Sequence, residues 1–180
     1  MSSIQGVLHF WFIESQPAQW WQADPAFDAL IKHRFGDLHA RAAQAELAGW
    51  RAEPAGRLAE VLVLDQFSRN VHRGTPQAFA QDGMALVLAQ EALACGADQA
   101  LPLAQRNFLY VPFMHSESRL IHVQAEAMFR ALGVENSLSF ELRHKAIVDR
   151  FGRYPHRNAM CGRESSAEEI EFLKLPGSAF

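Results

Sequence analysis

Apolar residues recur three and four positions apart along most of the chain, the period of one helix face. In PAFDALIKHRF (25–35) the stripe is Phe27, Leu30, Ile31 and Phe35. GDLHARAAQAELAGW prolongs it through Leu38, Ala42, Ala45 and Leu47, with Gly49 as the expected stop. AGRLAEVLVLDQF (55–67) is apolar on most sides and is expected at the centre of the molecule. DGMALVLAQEALACG (82–96) opens on Asp82 as a cap and closes on glycine. SESRLIHVQAEAMFRALG (116–133), capped by Ser116, and SLSFELRHKAIVDRFG (137–152) have the same form. AQRNFLYVPFM runs helically until Pro112, which is expected to kink or stop it. A last helix is expected from a capping box of Ser165 and Glu168. No segment alternates with period two between turn signals. Short connections then predict an all-α fold of antiparallel helical hairpins, a compact bundle or a short solenoid. A single domain over residues 1–180 is expected.

Composition narrows the partners. With 49% hydrophobic residues and a net charge of −3, the chain reads as a globular protein able to bury a core. There is no basic excess to make nucleic acid the main partner, and no acidic tail. VLHFWFI near the start is too short to span a bilayer and lacks the charged flank of a secretory signal, so no membrane association is expected. Cys95 and Cys161 are isolated, which points to two reduced thiols and a cytoplasmic location. FWF (10–12) and WW (20–21) have no interleaved Lys or Arg and read as core anchors.

Candidate chemistry gathers in two stretches. LDQFSRNVHRGTP (64–76) and VDRFGRYPHRN (148–158) share a skeleton: Asp65, Phe67, Arg69, His72 and Arg73 recur as Asp149, Phe151, Arg153, His156 and Arg157. Each Asp stands four residues before an Arg, a spacing at which the two pair on a helix. The pairs therefore read first as fold-building contacts. Each stretch also carries more Arg than its Asp cancels and leads towards a predicted helix start, at Thr75-Pro76 and at Ser165, where free N–H groups favour an anion. Asp65, Arg69, Asn70, Arg73, Arg153, Arg157 and Asn158 are accordingly the candidate ligand-binding residues. In PFMHSES (112–118), Ser116 and Glu117 suit a helix cap, or else His115 is a general acid or base assisted by Glu117, with His156 as the other candidate. His33, His39 and His122 fall within helical patterns and read as helix-surface or core residues. There is no HExxH, paired Cys, EF-hand loop, GxSxG, Walker loop or GxGxxG, so no metal or cofactor is implied by motif.

Taken in order, VLHFWF, WWQADPAFDALIKHRF, GRLAEVLVLDQFSRN with RGTPQAFAQD, FLYVPFMHSES, and RFGRYPHRN with GRESSAEEIEFL span almost the whole chain. This set resembles a bacterial domain-of-unknown-function family, number 924. The resemblance implies a tetratricopeptide-like (TPR-like) α–α superhelix and brings no accepted enzymatic activity. Its recurring polar blocks map onto Asp65, Gln66, Arg69 and Asn70, then His115, Ser116 and Glu117, then Arg153, His156, Arg157 and Asn158. The chain departs from that pattern at Ser68, where proline is usual, and at His72, where an aromatic is common. The expected function is a polar, Arg- and His-lined pocket for a small anionic molecule. The alternatives are a hydrolase using His115 or His156, and a module binding an acidic peptide. A purely structural or oligomerisation role would show instead as a large apolar surface patch.

Overall fold

The computed structural model describes residues 3–179, and no strand occurs among the described residues: the fold is all-α, as the periodicity predicts. The helices are α1 (Ile4–His9), α2 (Pro25–Ala43), α3 (Pro54–Leu62), α4 (Ser68–Val71), α5 (Asp82–Ala94), α6 (Leu103–Met114), α7 (Arg119–Leu132), α8 (Glu135–Phe151) and α9 (Ala167–Leu173). No described helix is long and apolar enough to cross a membrane. The chain divides into two compact units, one of the described residues up to Arg73 with Gln77–Pro112, the other of Gly74–Pro76 with the described residues from Phe113 on.

In the first unit α3, a π-helical turn (Val63–Phe67) and α4 follow one another without a break. Leu58, Leu62, Val63, Leu64 and Phe67 along this run are sealed from solvent, so the segment read as apolar on most sides is the centre of this unit. Phe10 and Trp11, in a second π-helical turn (Phe10–Glu14), pack their rings against Phe27 of α2 and against Phe67. FWF thus anchors the core. Trp21 keeps 56% of its surface exposed but stacks flat on Phe108, ring centres 5.5 Å apart. Gly56 admits the 3₁₀ turn Ala48–Ala52 against α3, since a Cβ there would lie 1.9 Å from Trp50 O.

In the second unit α7 and α8 form an antiparallel hairpin joined by Gly133 and Val134. Ile147, Val148 and Tyr154 are buried there, with Phe151 and Phe172 packed against them.

Several helix ends differ from their sequence expectations. Pro112 stands inside α6, which runs on to Met114. Asp82 lies in the first turn of α5, after the N-cap Gln81. The N-cap of α7 is Ser118, and Ser116 instead accepts the Ser118 N–H. α8 begins at Glu135, before the expected Ser137. The capping box of α9 is Ser166 with Glu169, one register later than Ser165 with Glu168. Ser166 accepts from the Glu169 N–H and Glu169 accepts from the Ser166 N–H, closing both donors at that helix start.

Candidate functional site

The DQFSRN block stays helical. Ser68 is in ordinary helical conformation, so Asp65, Gln66, Arg69 and Asn70 remain on one continuous run. Asp65 accepts from Gln66 Nε2 at 2.6 Å and from Arg69 Nη1 at 3.3 Å. The same guanidinium forks onto Asp82 at 2.9 and 3.1 Å. Asn70 Nδ2 donates to Asp28 Oδ1 at 2.8 Å, and Arg73 binds both oxygens of that carboxylate. The positive charge that looked surplus along the chain is therefore met by Asp82 and by Asp28 of α2, far upstream. Burial pushes the Asp28 carboxyl up, but the Arg73 and Asn70 hydrogen bonds outweigh it and hold the pKa below its usual range.

Below this block, His39 Nε2 lies 2.7 Å from Ser68 Oγ, whose hydroxyl hydrogen goes to Leu64 O. Nε2 must therefore be the donor. Burial first, and the neighbouring His72 second, pull the His39 pKa down to about 4. Below pH 6.5 the unfolded chain binds a proton at His39 that the folded chain refuses, so stability falls as pH drops from 6.5 to about 4. The loss at this one site is at most about 3 kcal/mol. We expect His39→Gln to flatten that part of a urea-midpoint-against-pH curve. An unchanged slope would place the titration elsewhere.

In the second unit the PHRN block takes a different path from its echo. Position 152, the counterpart of Ser68, is a glycine at φ 71°, which ends α8 and turns the chain out of the helix. Arg153 is therefore beyond the helix and does not reach Asp149. Asp149 takes Lys145, and Arg153 forks onto Glu169 at 2.7 and 2.8 Å. Asn158 is buried and donates to Ser165 Oγ at 3.0 Å.

Turning the chain at Gly152 brings Tyr154 into the hairpin, fully buried. Its N–H donates to Glu117 Oε1 at 2.8 Å, and its hydroxyl donates to Met114 O at 2.6 Å. Arg163 closes a fork on both Glu117 oxygens at 2.6 and 2.9 Å. Burial raises the Glu117 pKa, but the Arg163 and Tyr154 hydrogen bonds and the charges of Arg157 and Arg163 prevail, leaving a carboxylate below its usual range. With both oxygens engaged in this way, Glu117 ties two loops together.

Three histidines surround the tyrosine ring. Ring centres of His156, His144 and His122 lie 5.6, 5.7 and 6.2 Å from it, and the Arg157 guanidinium covers it at 4.6 Å. His115 joins through His144, at 6.4 Å. His144 donates from Nδ1 to Phe140 O, which leaves the lone pair on Nε2. Burial foremost keeps its pKa well below the ordinary value, against the Phe140 bond and with the help of His115, His122 and Arg157. His144 is a neutral imidazole. His115 and His156 are half-buried and Arg157 is only 7% exposed. Among the described residues no group of three or more His, Cys, Asp or Glu is arranged to hold a metal ion.

His115, Glu117, His156 and Arg157 of the expected site thus share one hub. Sequence reasoning missed Tyr154, Glu141, His144 and the Arg163 fork, and it placed His122 without a partner. A signal was present: His122 shares the buried stripe of α7 with Ala125 and Phe129, and Glu141 and His144 share that of α8 with Val148. A polar residue on a core stripe demands a partner.

Among curated proteins none matches the chain. A solved structure of a protein of unknown function, ATU0120 from Agrobacterium tumefaciens, is similar at 39% identity with a TM-score of 0.90, over 95% of this chain and 96% of that one. The family model for bacterial proteins of unknown function, DUF924, matches residues 7–177, and the chain belongs to that family.

Proposed function

We propose that the chain binds a small anion, a phosphate or carboxylate group, with His115, His156 and Arg157 as donors. The observation that carries this reading is the gathering of four of the eight histidines and Arg157 about Tyr154. Guanidinium and imidazole N–H groups suit such ligands, and binding strengthens where water is excluded. Glu117 does not oppose an anion, because Arg163 neutralises it. Asp65, Arg69, Asn70, Arg73, Arg153 and Asn158 act instead through the contacts described above and frame their own loops.

A hydrolase that uses His115 or His156 as acid or base is the second reading. His144 favours it, as a neutral base beside His115. The α7–α8 hairpin is also the kind of unit that a TPR-like stack repeats, which makes an acidic peptide end the competing anion.

Thermal unfolding with inorganic phosphate, citrate and an acidic peptide separates these ligands. A ligand at about a hundred times its Kd adds roughly 2.7 kcal/mol, a shift of a few degrees. Arg157→Lys keeps the charge and loses the fork, and is expected to weaken binding about tenfold. A wild-type protein indifferent to all three ligands, or a lysine variant that shifts equally, removes the reading.

A further inference from the structure

The anion reading leaves one buried couple unused. His122 and Glu141, facing each other from α7 and α8, are both 0% exposed, with His122 Nδ1 2.8 Å from Glu141 Oε1. The other imidazole nitrogen, Nε2, lies 2.8 Å from Ser116 O and 3.0 Å from Tyr154 Oη. A carbonyl oxygen only accepts, so His122 Nε2 carries a hydrogen whatever the state of the pair. By the same rule the Tyr154 hydroxyl gives its hydrogen to Met114 O, and its oxygen is left to accept from His122.

The two carbonyls held in this way belong to the residues on either side of His115. The next residue along, Glu117, is fixed by the Tyr154 N–H and by Arg163. The backbone around a half-buried histidine is thus clamped from α7 and from the Tyr154 loop.

We propose that Glu141 and His122 are positioning residues: Glu141 orients His122 so that its Nε2–H and the Tyr154 hydroxyl clamp the carbonyls of Ser116 and Met114 on either side of His115 and aim that imidazole. That the aim is at an anion rests on the preceding subsection. The clamp does not.

The pair has two forms of equal net charge, imidazolium with carboxylate, or imidazole with carboxylic acid, the acid O–H donating to Nδ1. Glu141 Oε2 is shut off from solvent and has no hydrogen-bond partner. Half a negative charge on such an atom costs far more than a bare carbonyl. Burial above all raises the Glu141 pKa, with Glu126 acting in the same sense and His122 and Lys145 against it. In the second form Oε2 is an uncharged carbonyl, and a glutamine can imitate that form, since its amide N–H also donates to Nδ1.

The test compares Glu141→Gln, Glu141→Ala and His122→Phe with the wild type. Amide exchange at 115–118 and an NMR titration of the His115 ring report the clamp, and inorganic phosphate is the ligand probe. Glu141→Gln is expected to keep loop exchange, the His115 midpoint and phosphate affinity within about twofold. His122→Phe fills the space without a donor, and is expected to speed loop exchange about tenfold and to move the His115 midpoint while circular dichroism keeps its helix content. If that variant does not fold, Glu141→Ala serves, because it leaves the imidazole in place but unheld. Loop exchange and a His115 titration unchanged in His122→Phe, or the same in Glu141→Ala as in Glu141→Gln, overturn the proposal. Absence of phosphate binding in the wild type, with the loop effects present, removes the anion reading and supports the clamp.

Discussion

Alanine at position 51 is expected to cost the first unit about 3–5 kcal/mol, because it strands a carboxylate with no access to water. Glu60 is 0% exposed, and Arg51 Nε and Nη2 each stand 2.7 Å from one of its oxygens. Its hydrogen bonds with Glu60 hold the Arg51 pKa above its ordinary value, so the guanidinium stays charged. The attraction itself is no measure of the effect, since burying both ions has already offset much of it. What the single substitution adds is the unmet desolvation of Glu60. The double replacement Arg51→Met with Glu60→Leu should therefore recover most of the loss. All four tryptophans, Trp11, Trp20, Trp21 and Trp50, lie in this unit, so urea unfolding followed by their fluorescence reports it selectively. A midpoint shift with unchanged slope is the expected form. An Arg51→Ala variant within about 1 kcal/mol of wild type would mean that water reaches Glu60.

The pair also shows what a sequence hides. Arg51 and Glu60 are nine residues apart across a break between a 3₁₀ turn and a helix, so no helical spacing marks them. Arg73 with Asp28, and Arg163 with Glu117, are separated further, by 45 and 46 residues. Charge counted along the chain made these arginines look unspent, whereas folding supplies their carboxylates from other elements. The apolar stripes were legible because a helix repeats its buried face every few residues: the stripe of 25–35 falls in α2, which ends at Ala43, short of the expected Gly49, and the apolar run 55–67 is the centre of the first unit. Helix starts were less so: several Ser and Asp residues stood within reach of each one, and only backbone geometry chooses among them. The repeated Asp-x-Phe-x-Arg skeleton was real as spelling. Its two copies follow different paths because the residues between the shared positions differ, above all Gly152 and Pro155 where the first copy has Ser68 and Val71. Glycine tolerates φ 71°, which lets the second copy leave the helix, and Tyr154 enters the core as a result. The site's centre was thus encoded in the residues that broke the pattern.

Replacing Tyr154 by alanine is expected to be the most damaging change in the second unit, at about 3–5 kcal/mol, the range for emptying a fully buried aromatic position. Phenylalanine at the same place separates what the ring does from what the hydroxyl does. It keeps the packing on Ile147, Val148 and Phe151 and the ring beneath Arg157, but removes the donor to Met114 O. That carbonyl is then left without its side-chain partner, a loss of about 1–3 kcal/mol. The two variants also divide the site. With phenylalanine, Arg157 and His156 retain their platform, so phosphate affinity should fall less than stability, and the flanks of His115 should loosen on one side only. With alanine, platform and clamp are lost together. Thermal unfolding read through histidine ring-proton signals, of which four come from this cluster, checks both. If phenylalanine proves as harmful as alanine, the hydroxyl dominates, and Tyr154 is chiefly a hydrogen-bonding post for the loop. If alanine is tolerated within about 1 kcal/mol, the hub has no energetic weight. Between those extremes, the difference between the variants measures how much of the site depends on packing against one ring.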